Sequence, residues 1–251
     1  MTIKKTTIPS TKGKLAAAIH YSESKTDKLA ILCPGFLDSK DYLGLVGLAE
    51  ELAGRDYMVV RFDPTGTWES EGDSSDYNNT QYLIDIKSVL EYMLGLDSYQ
   101  HILLGGHSRG GQLSILYAAR DPRISMVLGI MPSSDHSLAG KRREDWQKNG
   151  VSISNRDLPD KSGTIEYRVP YSHVVDREKY DVVEDVKKIT APIILLAGEL
   201  DKLVLPEHVK EIYDNANEPK KLIIVPGIGH DYRHRENEVK VVNKIILEQL
   251  D

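Results

Sequence analysis

The sequence predicts an α/β fold built around a mostly parallel sheet with helices on both faces. Short apolar runs of strand length alternate along the chain with longer segments that have helical periodicity. Parallel strands need a crossover connection, and an intervening helix supplies one while it covers a face of the sheet. The length of 251 residues, with 40% hydrophobic and 28% charged residues, fits one large domain of this class or two small ones.

Eight runs have the length expected of strands, and all but the first are rich in apolar residues. The first two are predicted to form a hairpin, because residues 9–13 between them are rich in turn-forming types. The later runs are nearly continuous in apolar residues, which is typical of buried parallel strands. In order, the runs cover residues 4–8, 14–21, 28–33, 57–62, 102–105, 125–131, 192–197 and 221–225.

Helical spacing of apolar residues marks the connections between these runs. Residues 41–55 and 79–96 each present one apolar face, residues 111–120 follow the fifth run, a helix begins near Pro206, and residues 236–250 close the chain. The predicted core positions of the first two helices are Leu43, Val46, Leu48, Leu52, Tyr82, Leu83, Ile86, Leu90 and Met93.

Residues 132–188 interrupt this alternation with a polar segment that has no long apolar run. A connection this long between two core strands is either a cap or a disordered insertion. Its scattered apolar residues favour an ordered cap, so we predict a core of residues 1–131 and 189–251 with a cap of residues 132–188. The apolar residues in question are Ile153, Ile165, Val169, Val174, Val175 and Val182.

The charge of the chain argues against nucleic acid as a partner, since the net charge is −6. A basic run at residues 141–143 is followed at once by Glu144 and Asp145, which is typical of a solvated helix face. The first residues lack the apolar core of a signal peptide, and no stretch approaches the roughly 18 apolar residues of a membrane span. We expect a cytoplasmic monomer or homodimer that binds neither nucleic acid nor a membrane.

The single cysteine, Cys33, excludes an internal disulfide and is predicted to be a buried strand residue. No clustered histidine and cysteine spacing suggests zinc, and no glycine-rich phosphate or dinucleotide loop is present. We therefore expect neither a metal nor a cofactor. Five histidines have no motif around them, namely His20, His101, His136, His173 and His208.

The most informative motif is Gly106-His107-Ser108-Arg109-Gly110. It follows an apolar strand run and precedes a helical segment, which is the strand, sharp turn and helix context of a nucleophile elbow. Glycines two residues on either side of the serine let the strand and helix backbones approach where a Cβ would clash. This context makes Ser108 the predicted nucleophile.

A serine hydroxyl needs a base within hydrogen-bond reach, and that base needs an orienting carboxylate. In this architecture, catalytic groups lie on loops after the carboxyl ends of strands. Asp201 follows the seventh apolar run and is the predicted acid, with Glu199 as the alternative. His230 lies in a glycine-bearing loop after the eighth run and is the predicted base, with His234 as the alternative.

An acyl-transfer site also needs two backbone amides that hold the oxyanion. We predict the amide of Arg109, directly after the nucleophile, and that of Phe36, in the loop after the third run. Gly35 would let this loop approach the site closely and is a candidate for contact with substrate. His107, inside the elbow, is a further candidate for contact with substrate.

Together these residues resemble the serine hydrolases of the α/β-hydrolase fold, in which serine, acid and histidine occur in this order. The likeness rests on the loop at Gly35, on residues 61–72, on the elbow and on the two loops that carry the acid and the base. The chain most resembles small bacterial carboxylesterases of the cinnamoyl and feruloyl esterase type. It is also similar to monoacylglycerol lipases and prolyl-aminopeptidase-like enzymes. The resemblance implies an eight-stranded, mostly parallel sheet with an inserted cap.

Three residues depart from the pattern of that superfamily. Pro34 stands where a histidine is usual, and we expect it to reshape the oxyanion loop while the Phe36 amide remains available. Trp68 stands where a glycine is usual, and we expect it to pack under the loop or to fill part of the pocket and contact substrate. Arg109 replaces a glutamine or methionine, and we expect its side chain to pair with a nearby carboxylate.

The predicted function is hydrolysis of carboxylic esters with short-chain or aromatic acyl groups, the partner being a small-molecule ester. The polar composition of residues 141–150 disfavours a lipid-facing lid. An amide or peptide hydrolase with the same residues is the alternative, and a non-catalytic binding protein is a third hypothesis. An aminopeptidase would need acidic cap residues around the substrate amine, for which the candidates are Glu144, Asp145, Asp157, Asp160, Glu166, Asp176 and Glu178.

Overall fold

The computed structural model describes residues 1–22, 25–134 and 141–250. Strands form at all eight predicted runs, and two further strands lie in the segment predicted as a cap. They are β1 (Thr2–Ser10), β2 (Gly13–Tyr21), β3 (Lys28–Cys33), β4 (Tyr57–Phe62), β5 (His101–His107), β6 (Met126–Ile130), β7 (Val151–Asp157), β8 (Thr164–Pro170), β9 (Ile193–Gly198) and β10 (Lys220–Val225).

One sheet contains eight of these strands in the order β1-β2-β4-β3-β5-β6-β9-β10. The β1–β2 hairpin and the β2–β4 pair are antiparallel, and the other neighbouring pairs are parallel. The prediction of a mostly parallel eight-stranded sheet is therefore confirmed. Because parallel strands end at the same edge, the loops after β3, β5, β9 and β10 meet there.

Helices cover both faces of the sheet. They are α1 (Leu43–Ala53), α2 (Asn79–Leu96), α3 (Arg109–Ala118), α4 (Lys141–Asn149), α5 (Ser172–Arg177), α6 (Val182–Val186), α7 (Pro206–Asn215) and α8 (Glu236–Leu247). Residues of α1 and α8 belong to one hydrophobic core, and residues of α2, α3 and α7 belong to another. Within the described residues, no helix combines the length and the apolar character needed to cross a membrane.

The predicted core face of α1 is partly wrong. Leu48 and Leu52 are buried, but Leu43 is 40% exposed and Val46 is half-buried, while Leu45 is buried instead. The buried positions 45, 48, 49 and 52 follow the i, i+3, i+4, i+7 spacing of one helix face. The helix lacks a side-chain N-cap, so the sequence contains no signal for the position of its first turn. In α2, Leu83 is half-buried and the other predicted positions are buried, namely Tyr82, Ile86, Leu90 and Met93.

The segment predicted as a cap lies between β6 and β9. Here β7 and β8 pair as an antiparallel hairpin, accompanied by α4, α5 and α6. Val169, Val174 and Val182 are buried, whereas Ile153 and Val175 are 52% and 50% exposed, contrary to their predicted role in the cap core. Burial alternates along β7, and position 153 lies on its outer face. Residues 135–140, which include His136, lie outside the described residues.

Candidate active site

Ser108 occupies a sharp turn between β5 and α3. Its backbone has φ 54° and ψ −116°, a conformation that residues with a Cβ rarely adopt. The Ser108 amide donates to the carbonyl oxygen of Ile130 at 2.8 Å, and the Ser108 carbonyl accepts from the amide of Gln112 at 3.0 Å. These bonds hold a strained serine at the end of a central strand, as a nucleophile elbow requires.

The two glycines of the motif are needed because β3 passes close to the elbow. A Cβ built on Gly106 would lie 2.3 Å from the carbonyl oxygen of Cys33, and one on Gly110 would lie 2.0 Å from the same atom. Neither contact is sterically possible, so both positions exclude a side chain. Cys33 itself is fully buried, as predicted, and burial raises the pKa of its thiol to about 12. The thiol therefore stays protonated and is a poor nucleophile.

Ser108, His230 and Asp201 lie together, as the sequence predicted. The Nε2 atom of His230 is 2.9 Å from Ser108 Oγ, and its Nδ1 atom is 2.7 Å from Asp201 Oδ2. The other oxygen of Asp201 accepts from the amides of Leu203 and Val204, each at 2.8 Å. With the carboxylate fixed in this way, a proton on Nδ1 points at Asp201 and Nε2 is left to accept a proton from the serine.

The alternative acid and base lie elsewhere. Glu199 Oε2 accepts from the amide of Gly227 at 2.8 Å and so stabilises the loop that leads to His230. The ring of His234 contacts that of Tyr42 edge-on, with centroids 4.7 Å apart. Within the described part of the chain, neither residue hydrogen-bonds to the serine and histidine pair.

The loop after β3 places Phe36 in the same cleft as Ser108. The next amide, that of Leu37, donates to Tyr77 Oη at 2.9 Å, so it is already occupied. Among the described residues, no acceptor is bonded to the Phe36 amide. The Arg109 amide has no acceptor in its own helix because it lies at the first position of α3. Both amides predicted for the oxyanion are therefore available to an anion.

The side chain of Arg109 does not make the expected carboxylate pair. Its guanidinium carbon lies 4.4 Å from the centroid of the Tyr77 ring and 5.7 Å from that of Phe36. Its Nη1 atom is 2.9 Å from Nε2 of His173. The expectation failed because these three partners come from three distant segments, and only the folded chain brings their rings together.

Gly35 and His107, which were predicted to contact substrate, lie behind the cleft and not in its lining. A Cβ on Gly35 would lie 2.5 Å from Asp38 Oδ2, so this glycine makes room for that carboxylate. The His107 ring faces that of His230 at 4.6 Å between centroids. Burial lowers the pKa of His107 to about 3, so the ring is neutral at physiological pH.

Trp68 packs under the loop after β3 and does not line the cleft. Its Nε1 atom donates to the carbonyl oxygen of Leu37 at 3.2 Å. Its ring meets those of Tyr42 and Tyr167 edge-on, at centroid distances of 5.5 and 5.9 Å. The φ of Trp68 is 50°, which favours glycine and gives a physical reason for the glycine that is usual here in similar hydrolases.

A cleft of about 300 Å³ opens over Ser108 and His230. The inserted segment contributes Trp146, Arg156 and His173 to its lining. The rings of Trp146 and His173 stack with centroids 5.4 Å apart. None of these three residues was predicted from the sequence, because their contact with the site depends on how the β7–β8 hairpin and α4 fold over the core.

Arg233 is a further lining residue that the sequence analysis did not identify. Its Nε atom lies 2.7 Å from Asp38 Oδ2, and its Nη1 donates to Asp231 Oδ1 at 2.7 Å. Burial alone would raise the pKa of Asp38, but the charge of Arg233 lowers it well below its usual range. The one sequence feature that could have indicated Arg233 as a site residue is its position three residues after His230, on the same loop.

The chain matches the alpha/beta hydrolase family over residues 30–244 and belongs to it. The α/β-hydrolase fold predicted from the motifs is thus confirmed by both the strand order and the family match.

Individual relatives are distant. The chain is 25% identical over 214 residues to the mitochondrial palmitoyl-protein thioesterase ABHD10 of Mus musculus, a match that covers 82% of this chain and 69% of that protein. It is 29% identical over 194 residues to Lipase 1 of Psychrobacter immobilis, covering 77% and 56%. The structure of Est1E from Butyrivibrio proteoclasticus with bound ferulic acid has a TM-score of 0.77 at 24% identity and covers 98% of this chain and 99% of Est1E. This last likeness supports the fold and agrees with the resemblance drawn from the motifs.

Proposed function

We propose that this member of the family is a serine hydrolase that cleaves carboxylic esters with short-chain or aromatic acyl groups. The observation that carries the proposal is the hydrogen-bonded chain from Ser108 through His230 to Asp201, with distances of 2.9 and 2.7 Å. The relatives named as a lipase and as a palmitoyl-protein thioesterase support hydrolysis of an ester-type bond.

In the proposed reaction, Ser108 Oγ attacks the ester carbonyl carbon while its proton moves to His230 Nε2. The carbonyl oxygen becomes an oxyanion, which the amides of Phe36 and Arg109 stabilise. As the tetrahedral intermediate collapses, the ester C–O bond breaks and His230 gives its proton to the leaving alcohol. Water then repeats both steps on the acyl group held by Ser108 and releases the acid.

Asp201 has two tasks in this scheme. It holds the proton on Nδ1 of His230, which keeps Nε2 free to accept the serine proton. It also stabilises the imidazolium that forms in each half of the reaction. The Asp201 carboxylate is fixed by the two amide hydrogen bonds from Leu203 and Val204. It therefore does not have to reorient during the reaction.

The dimensions of the site support a small acyl group. The cleft volume of about 300 Å³ is at the lower end of the range for small-molecule sites. Trp146 is the one apolar residue in the sequence of α4, and it is only 3% exposed. The helix therefore offers no apolar surface to a lipid aggregate, unlike the lid of a lipase.

No observation favours the peptidase alternative over ester hydrolysis. A bound substrate amine would need a carboxylate from the inserted segment. None of the acidic residues that the structure describes in that segment lines the cleft, and the segment supplies arginines there instead.

The test is hydrolysis of p-nitrophenyl acetate, butyrate and octanoate by the wild type and by Ser108→Ala. We expect turnover that falls from butyrate to octanoate, and a loss of at least about 1,000-fold in kcat/KM for the variant. Circular dichroism checks that the variant is folded. A Ser108→Ala variant that keeps most of the activity would refute the proposal. Cleavage of the matching anilide in preference to the ester would support the alternative function of an amide or peptide hydrolase.

A further inference from the structure

The charge of the cleft is opposite in sign to that of the chain. Its charged lining residues are four arginines and two aspartates, although the whole chain has a net charge of −6. Arg233 lies 2.7 Å from both Asp38 and Asp231, so these three side chains together carry a net charge of −1. A second, Arg177, donates to the carbonyl oxygen of Ser134. The remaining two, Arg109 and Arg156, give the cleft its excess of positive charge.

Among the residues that the structure describes, neither of these two arginines makes a hydrogen bond or an ion pair with a carboxylate, and their interactions with Asp38 and Asp176 act only at longer range. Arg109 is only 2% exposed, and its Nε and Nη2 atoms are buried without a hydrogen-bond acceptor. Arg156 is half-buried on β7, and its Nε atom is likewise buried without an acceptor. Both guanidinium carbons lie over the Phe36 ring, at 5.7 and 5.8 Å from its centroid.

Two cations next to one ring are energetically unfavourable when neither has a carboxylate bound to it and one of them, Arg109, is buried. Removal of a guanidinium from water costs several kcal/mol, which the aromatic contacts offset only in part. A negatively charged ligand would supply the missing interaction, and Arg offers carboxylate a matching two-point geometry. Because Phe36 also carries a predicted oxyanion amide, a group bound at Arg156 would belong to the molecule that Ser108 attacks.

We propose that the cleft takes esters that carry a second, negatively charged group, such as a free carboxylate, and that Arg156 binds this group while Arg109 adds to the positive field. The inference rests on the proposed ester hydrolysis and gives it a substrate class. The charged group can belong to the acyl part or to the alcohol part of the ester, and the test separates these two sources.

The experiment compares substrates that differ in charge and little in size. For the acyl side, the pair is mono-4-nitrophenyl adipate and its neutral methyl ester. For the alcohol side, the pair is 4-acetoxyphenylacetate and its neutral methyl ester. We expect the charged member of one pair to have a kcat/KM at least about 10-fold higher than the neutral member. A neutral preference in both pairs would overturn the proposal.

Two variants locate the effect. Arg156→Gln should lower the ratio of charged to neutral kcat/KM by about 10-fold. The matched control is Arg168→Gln on the neighbouring strand β8. The Arg168 side chain is 62% exposed and does not line the cleft, so this substitution removes the same charge from outside the cleft. The control should leave the ratio within about twofold of the wild type. Equal effects of the two variants would show that Arg156 has no direct role.

The salt dependence of the wild type provides a measurement that needs no variant. Between 20 and 300 mM NaCl, kcat/KM should fall for the charged substrate and stay level for its neutral partner. Equal salt dependence of the pair would contradict the proposal. This inference can fail while the proposed function stands. Ester hydrolysis that depends on Ser108 but is independent of substrate charge would overturn the inference and leave the proposed function intact.

Discussion

Arg233 is bound to Asp38, although 195 residues separate them in the chain. The Nη2 atom of Arg233 donates to Asp38 Oδ1 at 3.2 Å, and its Nε atom lies 2.7 Å from Oδ2. Asp38 belongs to the loop after β3 that carries Phe36, and Arg233 follows His230, so this buried ion pair joins the two loops that the proposed reaction must align.

Removal of one partner should damage both stability and activity. Arg233→Gln leaves Asp38 buried without its counter-charge, so we expect the free energy of unfolding to fall by about 3 kcal/mol. The displaced oxyanion loop should lower kcat/KM for p-nitrophenyl butyrate by about 10- to 100-fold. Urea unfolding and steady-state kinetics measure the two effects. The double variant Asp38→Asn with Arg233→Gln should recover more than half of the stability, and a purely additive loss would contradict the coupling.

The elbow should not tolerate any side chain at Gly110. A Cβ there would lie 2.0 Å from the carbonyl oxygen of Cys33, so Gly110→Ala should cost about 3 kcal/mol or more in unfolding free energy, or prevent folding. The control is Gly95→Ala, in the exposed last turn of α2, where an added Cβ meets nothing within 4 Å. This variant should be more stable than the wild type by about 0.5–1 kcal/mol. Similar stabilities of the two variants would show that β3 and α3 are not in the described contact.

Stability should fall in mild acid. Burial lowers the pKa of His107 to about 3, and burial together with the charge of Arg61 lowers that of His20 to about 4. Between these values and the ordinary value of 6.5, each histidine binds more protons in the unfolded chain than in the folded one, so its contribution to the free energy of unfolding decreases as pH falls below 6.5. Protonation of Asp63, whose pKa burial raises to about 6, offsets part of this loss. Each histidine should contribute a loss of about 2 kcal/mol between pH 7.5 and 5.0.

His20→Gln isolates one of these contributions. A glutamine oxygen can still accept the hydrogen bond that Arg61 Nε donates to His20 Nε2 at 2.8 Å, but glutamine does not titrate. Urea unfolding at both pH values should therefore show a drop that is about 2 kcal/mol smaller for the variant. A drop in the free energy of unfolding equal to that of the wild type would mean that His20 is protonated at pH 5.0 in the folded protein, as it is in the unfolded chain.

Asp201 and Glu199 should differ sharply in their effects on catalysis. Asp201→Asn keeps the shape of the side chain but removes the charge that orients and stabilises the His230 ring, so kcat should fall by about 100- to 10,000-fold. Glu199→Gln keeps an oxygen that can accept the Gly227 amide, which bonds Glu199 at 2.8 Å, and should change kcat by less than about twofold. The kinetics of p-nitrophenyl butyrate decide, and a larger effect at Glu199 would exchange the two roles.

The sequence predicted most of the fold and the hydrogen-bonded residues of the site for a local reason. Apolar runs that alternate with helical segments mark the positions of the strands along the chain, and Ser108, Asp201 and His230 each lie in a short motif that follows a strand directly. Their meeting then follows from parallel strands that end at one edge. By contrast, the predicted core face of α1 was wrong at Leu43, because no capping residue marks the start of that helix.

The parts that the sequence did not predict depend on contacts between distant segments. Arg109 was expected to pair with a carboxylate, but it lies on the ring of Tyr77, from the core just before α2, and against His173, from the inserted segment. Arg156 belongs to a polar strand whose pattern does not indicate which face meets the cleft until β8 is paired with it. The charge of the cleft is therefore a property of the tertiary structure.

The most direct test of the central claim is to identify the residue that a serine-hydrolase inhibitor modifies. The folded protein is inactivated with diethyl p-nitrophenyl phosphate, digested, and mapped by mass spectrometry. We expect stoichiometric release of p-nitrophenol and a diethylphosphoryl group on Ser108, with neither in Ser108→Ala. Modification of another residue in step with loss of esterase activity, or full activity with Ser108 modified, would contradict the account.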